Sequence, residues 1–394
     1  MEKAINTLEI SSSAVKLVVG FVNDGTPYVL YANKVVLENA LEDFFVAENE
    51  NIINAIKTLI SDAEQILNTE ITEVILALPA AELGVFSAKR TTNTLASKIE
   101  QTDIKNILTL MRKSKVQPDQ TIVSILPQLY ITENGKESTT LPYNEVSNTL
   151  TVNAYIHVLP IWIYTTYIDI VQKAGIKVTK VYVDKHALTE LIDHPSYGTA
   201  SYFLVDIGAK MTSISYVSNH NLFFNRYIAL GGQDLTDHLA LKFGLERFEA
   251  EELKVKYGLD TKNINVNISL AEGVSSDGQL VDVNLDNLYF ETKQFLTDLL
   301  KRVNDEIEIM IETQKISNAY QHPLIFIGGG ARLYKLEDLI REIKSFPAKF
   351  IFKQTAFGAR DLTYAVNLGL IKAYSKYIKD IGDERSSFGA LTRS

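Results

Sequence analysis

Three short segments of this 394-residue chain share one design, an apolar strand that runs directly into a turn of small residues. A strand that ends in Gly or Ser lets backbone N–H groups approach an anion closely and share its charge. One such loop is often an ordinary tight turn, but three in this order, each about one subdomain apart, indicate a nucleotide clamped between two related halves. The three segments are Thr7–Lys16, Phe203–Thr212 and Leu324–Arg332.

The composition excludes several classes of protein. A net charge of −9 argues against a nucleic-acid binder, because no basic face is available to neutralise phosphates. The absence of cysteine excludes disulfides and thiolate metal sites, and the six scattered histidines indicate no protein-built metal site. No apolar run is long enough to span a bilayer, and the N-terminus does not read as a signal peptide. We therefore expect a cytosolic protein of two to four subdomains.

Patterning in the first half predicts a β-β-α-β beginning that is interrupted by a separate α+β unit between residues 84 and 160. Thr102 is the expected N-cap of the helix in that unit. The predicted elements are strands within residues 5–36 with a hairpin turn at Asn23–Gly25, a helix at Asn51–Leu67, a strand at Glu73–Leu78, a helix at Thr102–Lys113, strands at Thr121–Leu126, Leu129–Thr132 and Thr149–His157, a helix at Ile161–Lys173 and a strand at Lys177–Val183.

The second half repeats this beginning as a pattern, although not in residue identity. A strand that ends at Asp206 is again followed by a β-hairpin. The remaining predicted elements are strands at Ser213–Val217, Leu222–Ile228 and Leu324–Ile327, and helices at Leu235–Phe243, Arg247–Tyr257, Tyr289–Gln314, Leu336–Ser345 and Asp361–Lys376.

Six stretches carry a resemblance to a known family. They are LEISSSAVK, SILPQLYITENG with VNAYIHVLP, AGIKVTKVYVD, FLVDIGAKMTSIS, LGGQDLTDHLALKFGLERFEAEELKVKYG and LIFIGGGARLYKLEDL. In this order, over roughly residues 5–375, they resemble the actin and heat-shock-chaperone ATPase superfamily, and within it the bacterial cell-division protein FtsA. The pilus-assembly member PilM is the nearest alternative, but the Leu-Pro-Gln and Glu-Leu-Lys phrases favour FtsA. MreB is less similar because it has no insert at 84–160.

This resemblance implies an α/β, actin-like (ribonuclease H-like duplicated) fold with two halves around a nucleotide cleft and an FtsA-type α+β insert in the first half. The implied subdomains are 1A (1–83 and 161–197), the insert 1C (84–160), 2A (198–235 and 323–380), 2B (236–322, partner docking) and a flexible C-terminal tail (381–394).

The resemblance also implies ATP or ADP as cofactor, with Mg²⁺ held through phosphates and waters near Glu9 and Asp206. Each position has a plainer interpretation: the serines could form a hydroxyl-rich turn, and the Glu251–Lys254 pair could be a surface salt bridge. The implied nucleotide-binding residues are Ser11, Ser12, Ser13, Lys16, Asp206, Gly208, Thr212, Gly231, Gly232, Glu251, Lys254, Gly328, Gly329, Gly330 and Arg332.

The phosphate side departs from the family pattern. Glu9 replaces the usual Asp, and Lys210 lies where the second loop usually has glycine. Asp184 occupies the position of the residue that orients the hydrolytic water, although it could equally be a helix N-cap. With Asp184 and Glu9 as the catalytic candidates, we expect at most a slow ATPase.

The function implied is that of a filament-forming cell-division protein that ties the tubulin-like FtsZ to the inner face of the membrane at the division site. The FtsZ C-terminal peptide would dock on Lys293, Lys301 and Arg302, and the insert could bind other divisome proteins. The last residues, DIGDERSSFGALTRS, contain no amphipathic helix, so the membrane link is left open. Alternatives are a PilM-like scaffold of another envelope machine and a slow ATPase of the same fold.

Overall fold

The computed structural model describes residues 4–37, 50–192, 199–260, 269–274, 278–343, 345–346, 348–353, 356–358 and 362–382. The chain divides into two units by its internal contacts. Unit 1 comprises Met1–Ile192, Asn221–Phe224 and Gln354–Ser394, and unit 2 comprises Asp193–His220 and Asn225–Lys353.

Unit 1 begins with a mixed five-stranded sheet. Its strands are β1 (Ile5–Ile10), β2 (Ala14–Asn23), β3 (Thr26–Val36), β4 (Glu73–Leu78) and β9 (Lys177–Val183). The order is β3-β2-β1-β4-β9. Strand β2 is antiparallel to both of its neighbours, whereas β4 is parallel to β1 and β9 is parallel to β4. Asp24 and Gly25 connect β2 to β3 with φ values of 46° and 76°, the positive pair that a two-residue type I′ turn requires. The predicted hairpin is confirmed.

A second, antiparallel sheet occupies residues 84–160 of unit 1. Its strands are β5 (Gly84–Asn93), β6 (Gln120–Thr132), β7 (Glu137–Ser138) and β8 (Thr149–Pro160), in the order β5-β8-β6-β7. Helix α2 (Gln101–Arg112) connects β5 to β6. One face of α2, including Ile104, Ile107 and Met111, packs with Tyr130 in a core closed by Ile381 from the last helix of the unit. This sheet therefore has a hydrophobic core of its own, and Ile381, near the end of the described chain, is part of that core.

The described residues of unit 1 form four further α-helices. They are α1 (Glu50–Leu67), α3 (Ile161–Lys173), α4 (Asp184–Leu191) and α9 (Ala365–Ile381). α4 and α9 cross so closely that a Cβ on Gly369 would lie 1.9 Å from the carbonyl oxygen of Ala187. The crossing requires glycine at this position because no side chain fits between the two backbones.

Unit 2 contains a sheet arranged like the first. Its strands are β10 (Ser201–Ile207), β11 (Thr212–Ser218), β12 (Asn221–Ile228, of which residues 225–228 belong to unit 2), β15 (Leu324–Ile327) and β16 (Lys349–Ile351), in the order β12-β11-β10-β15-β16. β11 is antiparallel to β10, whereas β15 and β16 extend the sheet in parallel. The internal repeat predicted from the sequence is confirmed at the level of topology.

The remaining elements of unit 2 are helices and one β-hairpin. They are α5 (Gly232–Phe243), α6 (Arg247–Tyr257), β13 (Ser269–Val274), β14 (Leu280–Asn284), α7 (Leu285–Gln314) and α8 (Leu336–Arg341). The buried Glu291 of α7 joins α7 to α5, because its carboxylate contacts His238 Nε2 and Lys242 Nζ, each at 3.0 Å. A buried carboxylate with two such partners holds the helices in register.

Two predictions about the 84–160 unit are wrong in detail. α2 begins before Thr102, and its N-cap is Glu100, whose N–H donates to the Asp103 carboxylate at 2.9 Å. The two strands predicted on either side of Pro127 are one strand, β6, and its register to β8 shifts at this proline, which has no N–H to donate to the ladder.

Other differences concern element ends in the last part of the chain. The helix predicted at 336–345 ends at Arg341, and the one predicted at 361–376 begins at Ala365 after a 3₁₀ turn at Leu362–Tyr364 and continues to Ile381. The tail expected at 381–394 lies outside the described residues beyond Gly382. No described helix combines the length and the apolar character needed to cross a bilayer.

Candidate functional site

The first predicted phosphate loop is the turn between β1 and β2. The Ser11 N–H and its Oγ both donate to the carbonyl oxygen of Ala14, at 2.9 Å each. Ser11, Ser12 and Ser13 are all half-buried. The structure therefore places the three serines together at the end of a strand, and contact with a phosphate stays a prediction.

Glu9 and Lys16 lie directly opposite each other on β1 and β2. The Lys16 Nζ is 2.9 Å from Glu9 Oε1, and their side chains are only 13% and 10% exposed. Each charge is neutralised by the other in a poorly hydrated place, where loss of either partner would leave a costly buried charge. Glu9 is thus not an isolated carboxylate that waits for a hydrated cation.

Asp184 is the first residue of α4, and the helix N-cap is Val183, so the N-cap interpretation is wrong in position. Its Oδ1 accepts from the backbone N–H of Ala80 at 3.0 Å and of Lys185 at 2.7 Å. Its Oδ2 is 3.0 Å from the Lys185 Nζ, which is buried. The carboxylate therefore ties Ala80, two residues after the end of β4, to the start of α4.

The second loop and the start of α5 form one hydrogen-bonded assembly in unit 2. The Gly208 N–H donates to the Met211 carbonyl oxygen at 2.9 Å, and Thr212 Oγ1 donates to the Leu230 carbonyl oxygen at 2.8 Å. The Gly232 N–H donates to the Gly208 carbonyl oxygen at 2.9 Å. Four predicted residues, Gly208, Thr212, Gly231 and Gly232, are thereby brought together.

Glycine is required at the centre of this assembly. A Cβ on Gly231 would stand 2.5 Å from the Ala209 carbonyl oxygen and 2.6 Å from that of Gly208. These are backbone atoms, so they could not move aside without opening the loop. The loop therefore keeps a close backbone approach even though Ala209 and Lys210 replace the expected glycines.

Asp234 is a further residue of this assembly, which the sequence analysis missed. Its Oδ2 accepts the Gly231 N–H at 2.7 Å, as the third residue of a capping box does. Partial burial raises the pKa of the Asp234 carboxyl, and the Gly231 N–H opposes part of that shift. An acidic residue three positions after a glycine at a helix start is the sequence signal that would have identified it.

Lys254 and Glu251 meet on α6, as their spacing predicts, but the ammonium points into unit 2. The Lys254 Nζ donates to Gly232 O at 2.9 Å, to Thr236 Oγ1 at 2.8 Å and to Glu251 Oε2 at 2.5 Å. Lys254 and Thr236 are buried, whereas the Glu251 side chain is 47% exposed. Lys254 thus fastens α6 to the first turn of α5, and Glu251 is the member of the pair that a ligand can reach.

The third loop lies beside the second, at the carboxyl ends of the parallel strands β10 and β15. Gly328 has a φ of 93°, and a Cβ on it would stand 2.2 Å from Asp206 Oδ1. Gly329, in contrast, has open space where its Cβ would be, and Arg332 is exposed. In sheets of this kind ligands bind outside the carboxyl strand ends. Loops two and three of unit 2 together have the form of a ligand-binding edge.

The predicted partner-binding residues lie on α7. Lys301 and Arg302 are exposed. The Lys293 Nζ is 3.5 Å from Glu342 Oε1 in a small pocket of about 60 Å³. The pocket is lined by Leu259, Tyr289, Lys293, Lys335, Asp338, Leu339 and Glu342.

Comparison with known proteins identifies similar sequences over most of the chain. The sequence model of the family described as Cell division protein FtsA matches residues 203–369. Cell division protein FtsA of Enterococcus faecalis is 24% identical over 382 residues, which cover 95% of this chain and 84% of that protein. FtsA of Bacillus subtilis is 21% identical over 374 residues, which cover 93% of this chain and 82% of that protein.

Solved structures share the fold. A chain of the PilM-PilN type IV pilus biogenesis complex has a TM-score of 0.59 at 18% identity, and the match covers 96% of this chain and 98% of that one. MreB5 of Spiroplasma citri bound to ADP has a TM-score of 0.52 at 14% identity, covering 96% and 97%. The predicted actin-like fold is confirmed, and so is the predicted resemblance to FtsA.

Proposed function

We propose that this chain, whose sequence resembles FtsA and whose fold is actin-like, binds ATP, polymerises and links FtsZ to the division site. The similarity to FtsA proteins over most of their length supports the cell-division role. As part of the proposal, residues 84–160 are the FtsA-type insert 1C, and 236–322 are the partner-docking subdomain 2B. Its place would be the inner face of the membrane at the division site.

One observation supports the proposed binding of an adenine nucleotide: two glycine-containing loops lie side by side at the strand ends of unit 2. Gly231 and Gly328 cannot carry a side chain because atoms of neighbouring residues stand where a Cβ would be, whereas Gly329 faces open space, so a ligand can approach the backbone closely at Gly329. MreB5, which has this fold, was solved with ADP. Isothermal titration of ATP and ADP into the full chain tests the proposal, with a Gly231→Val variant expected to abolish binding.

We propose that Mg²⁺ binds together with the nucleotide and is coordinated by its phosphates. No described group of three or more His, Cys, Asp or Glu side chains has the arrangement of a metal site. Since Lys16 already neutralises Glu9, the cation would depend on phosphate oxygens and water for most of its ligands. We expect measurable nucleotide binding without Mg²⁺ and tighter binding with it.

Hydrolysis would be slow at most. A general base must be able to accept a proton from water, and the two oxygens of Asp184 are engaged by Ala80 and Lys185. Steady-state phosphate release with MgATP measures this. Asp184→Asn should leave any slow turnover nearly unchanged, and a large loss would identify Asp184 as the base.

The FtsZ link is assigned to α7. FtsZ's acidic and apolar C-terminal peptide would dock through the cationic Lys293, Lys301 and Arg302, whose charges are opposite to those of the peptide. Lys293→Glu should abolish binding of that peptide in fluorescence anisotropy and leave ATP binding unchanged. Negative-stain electron microscopy with ATP tests polymerisation, and absence of filaments with every nucleotide would refute it.

A PilM-like scaffold is the second candidate, because the PilM-PilN complex has the same fold over 96% of the chain. In that role the chain would bind a short N-terminal peptide of a membrane protein. A pull-down that compares such a peptide with the FtsZ peptide distinguishes the two functions.

A further inference from the structure

The polar side chain of Asn367, on helix α9, is buried against the sheet beneath the first phosphate loop. Asn367 is completely buried, and its neighbours Val366, Leu368 and Leu370 are buried apolar residues. Burying an amide costs free energy unless it makes hydrogen bonds, so a residue that only fills space here would be apolar. The contacts of Asn367 should therefore explain its presence.

The Asn367 amide connects α9 to both strands of the loop-bearing hairpin. Its Nδ2 donates to the carbonyl oxygen of Thr7 on β1 at 3.0 Å, and it lies 3.5 Å from that of Lys16 on β2. It also lies 3.4 Å from the buried Thr7 Oγ1. Within the described part of the chain its Oδ1 has no hydrogen-bond partner, so the donor side is the one in use.

These contacts lie on the same face of the sheet as the Glu9–Lys16 pair. Side chains two residues apart on a strand share a face, so Thr7 and Glu9 project together. Glu9 is paired with Lys16, and Ser11 follows two residues later at the turn. A polar row thus leads from the first turn of α9 to the base of the first loop.

We propose that Asn367 is a positioning residue of the first phosphate loop. Its amide ties the strands before and after Ser11–Ser13 to α9 and so holds the loop in one conformation before a nucleotide arrives. This inference rests on the proposed ATP binding. Without this amide the turn between the two strands would be less restrained in the free protein, and the cost of ordering it on binding would weaken the affinity.

Two variants separate positioning from space filling. Asn367→Ala removes the amide and its volume, whereas Asn367→Leu removes the amide and keeps a similar volume. Asn153→Ala is the matched control, because Asn153 is a partly buried Asn of unit 1 on β8 whose Oδ1 also has no partner among the described residues. Hydrogen exchange of the hairpin in the free protein and the Kd of a fluorescent ATP analogue are measured for all three.

We expect both Asn367 variants to speed exchange of the 11–16 amides and to raise the Kd by roughly three- to tenfold, the effect of losing one buried hydrogen bond. Asn153→Ala should change neither. Wild-type exchange and Kd in Asn367→Leu would show that the residue only fills space and would overturn the inference. If the wild type binds no analogue, the proposed function fails, and unchanged hairpin exchange in both variants would separately refute the anchoring role.

Discussion

Acidification should destabilise unit 1 through two buried histidines. His157 of β8 and His186 of α4 are fully buried with ring centroids 5.6 Å apart. Burial lowers the pKa of each to about 3, with the neighbouring His186 adding to the shift at His157 and Lys376 to that at His186. In the unfolded chain each histidine has a pKa near 6.5, so below that pH it binds a proton that it does not bind in the folded chain. The neutral pair's stability is therefore complete above pH 6.5 and is lost as the pH falls toward 3.

The magnitude follows from linkage. Between pH 7.5 and 5.0 the unfolded state gains about 2 kcal/mol for each histidine, hence about 4 kcal/mol for the pair. Urea unfolding at several pH values measures it, with fluorescence of the single tryptophan, Trp162 of α3, as a reporter inside unit 1. His157→Gln and His186→Gln should each remove about 2 kcal/mol of the change in unfolding free energy between pH 7.5 and 5.0. An unchanged slope in the double variant would refute the reasoning.

Three further outcomes follow from close packing and charge. Gly369→Ala should cost about 3 kcal/mol of stability in thermal unfolding, because its Cβ would stand 1.9 Å from the Ala187 carbonyl oxygen, whereas Gly329→Ala, with open space, should leave the melting temperature unchanged. Lys254→Met should weaken ATP binding at least tenfold in titration, since it removes the two hydrogen bonds that fix the start of α5, and wild-type affinity would contradict that role. Lys293→Glu should abolish FtsZ-peptide binding without changing ATP affinity, and retained peptide binding would place the docking site elsewhere.

Local signals in the sequence predicted much of the fold. The apolar spacing in α1 and the Asp24–Gly25 turn are properties of neighbouring residues, and the structure has both elements within one residue of where they were predicted. Strand β5 was missed because it is largely exposed and has Lys, Arg and Thr where an alternating apolar pattern would be expected. β6 was divided at Pro127 because a proline inside a strand is read as an end unless its place in the sheet is known.

The candidate site was harder to predict, because its contacts depend on register and packing. Glu9 meets Lys16 only because the β1–β2 ladder places them opposite each other. Lys254 turns inward because α5 offers it the Gly232 carbonyl oxygen and a buried hydroxyl. Asn367 lies 360 residues from Thr7 along the chain, and no local pattern connects them.

The most direct test of the account is the calorimetric titration of ATP, with and without Mg²⁺, into the full chain. The account predicts saturable binding of one nucleotide per chain, with a Kd of about 1–100 μM, and its loss in Gly231→Val. Absence of saturable heat at about 1 mM ATP, in protein that unfolds cooperatively, would contradict a nucleotide-binding role for the three loops.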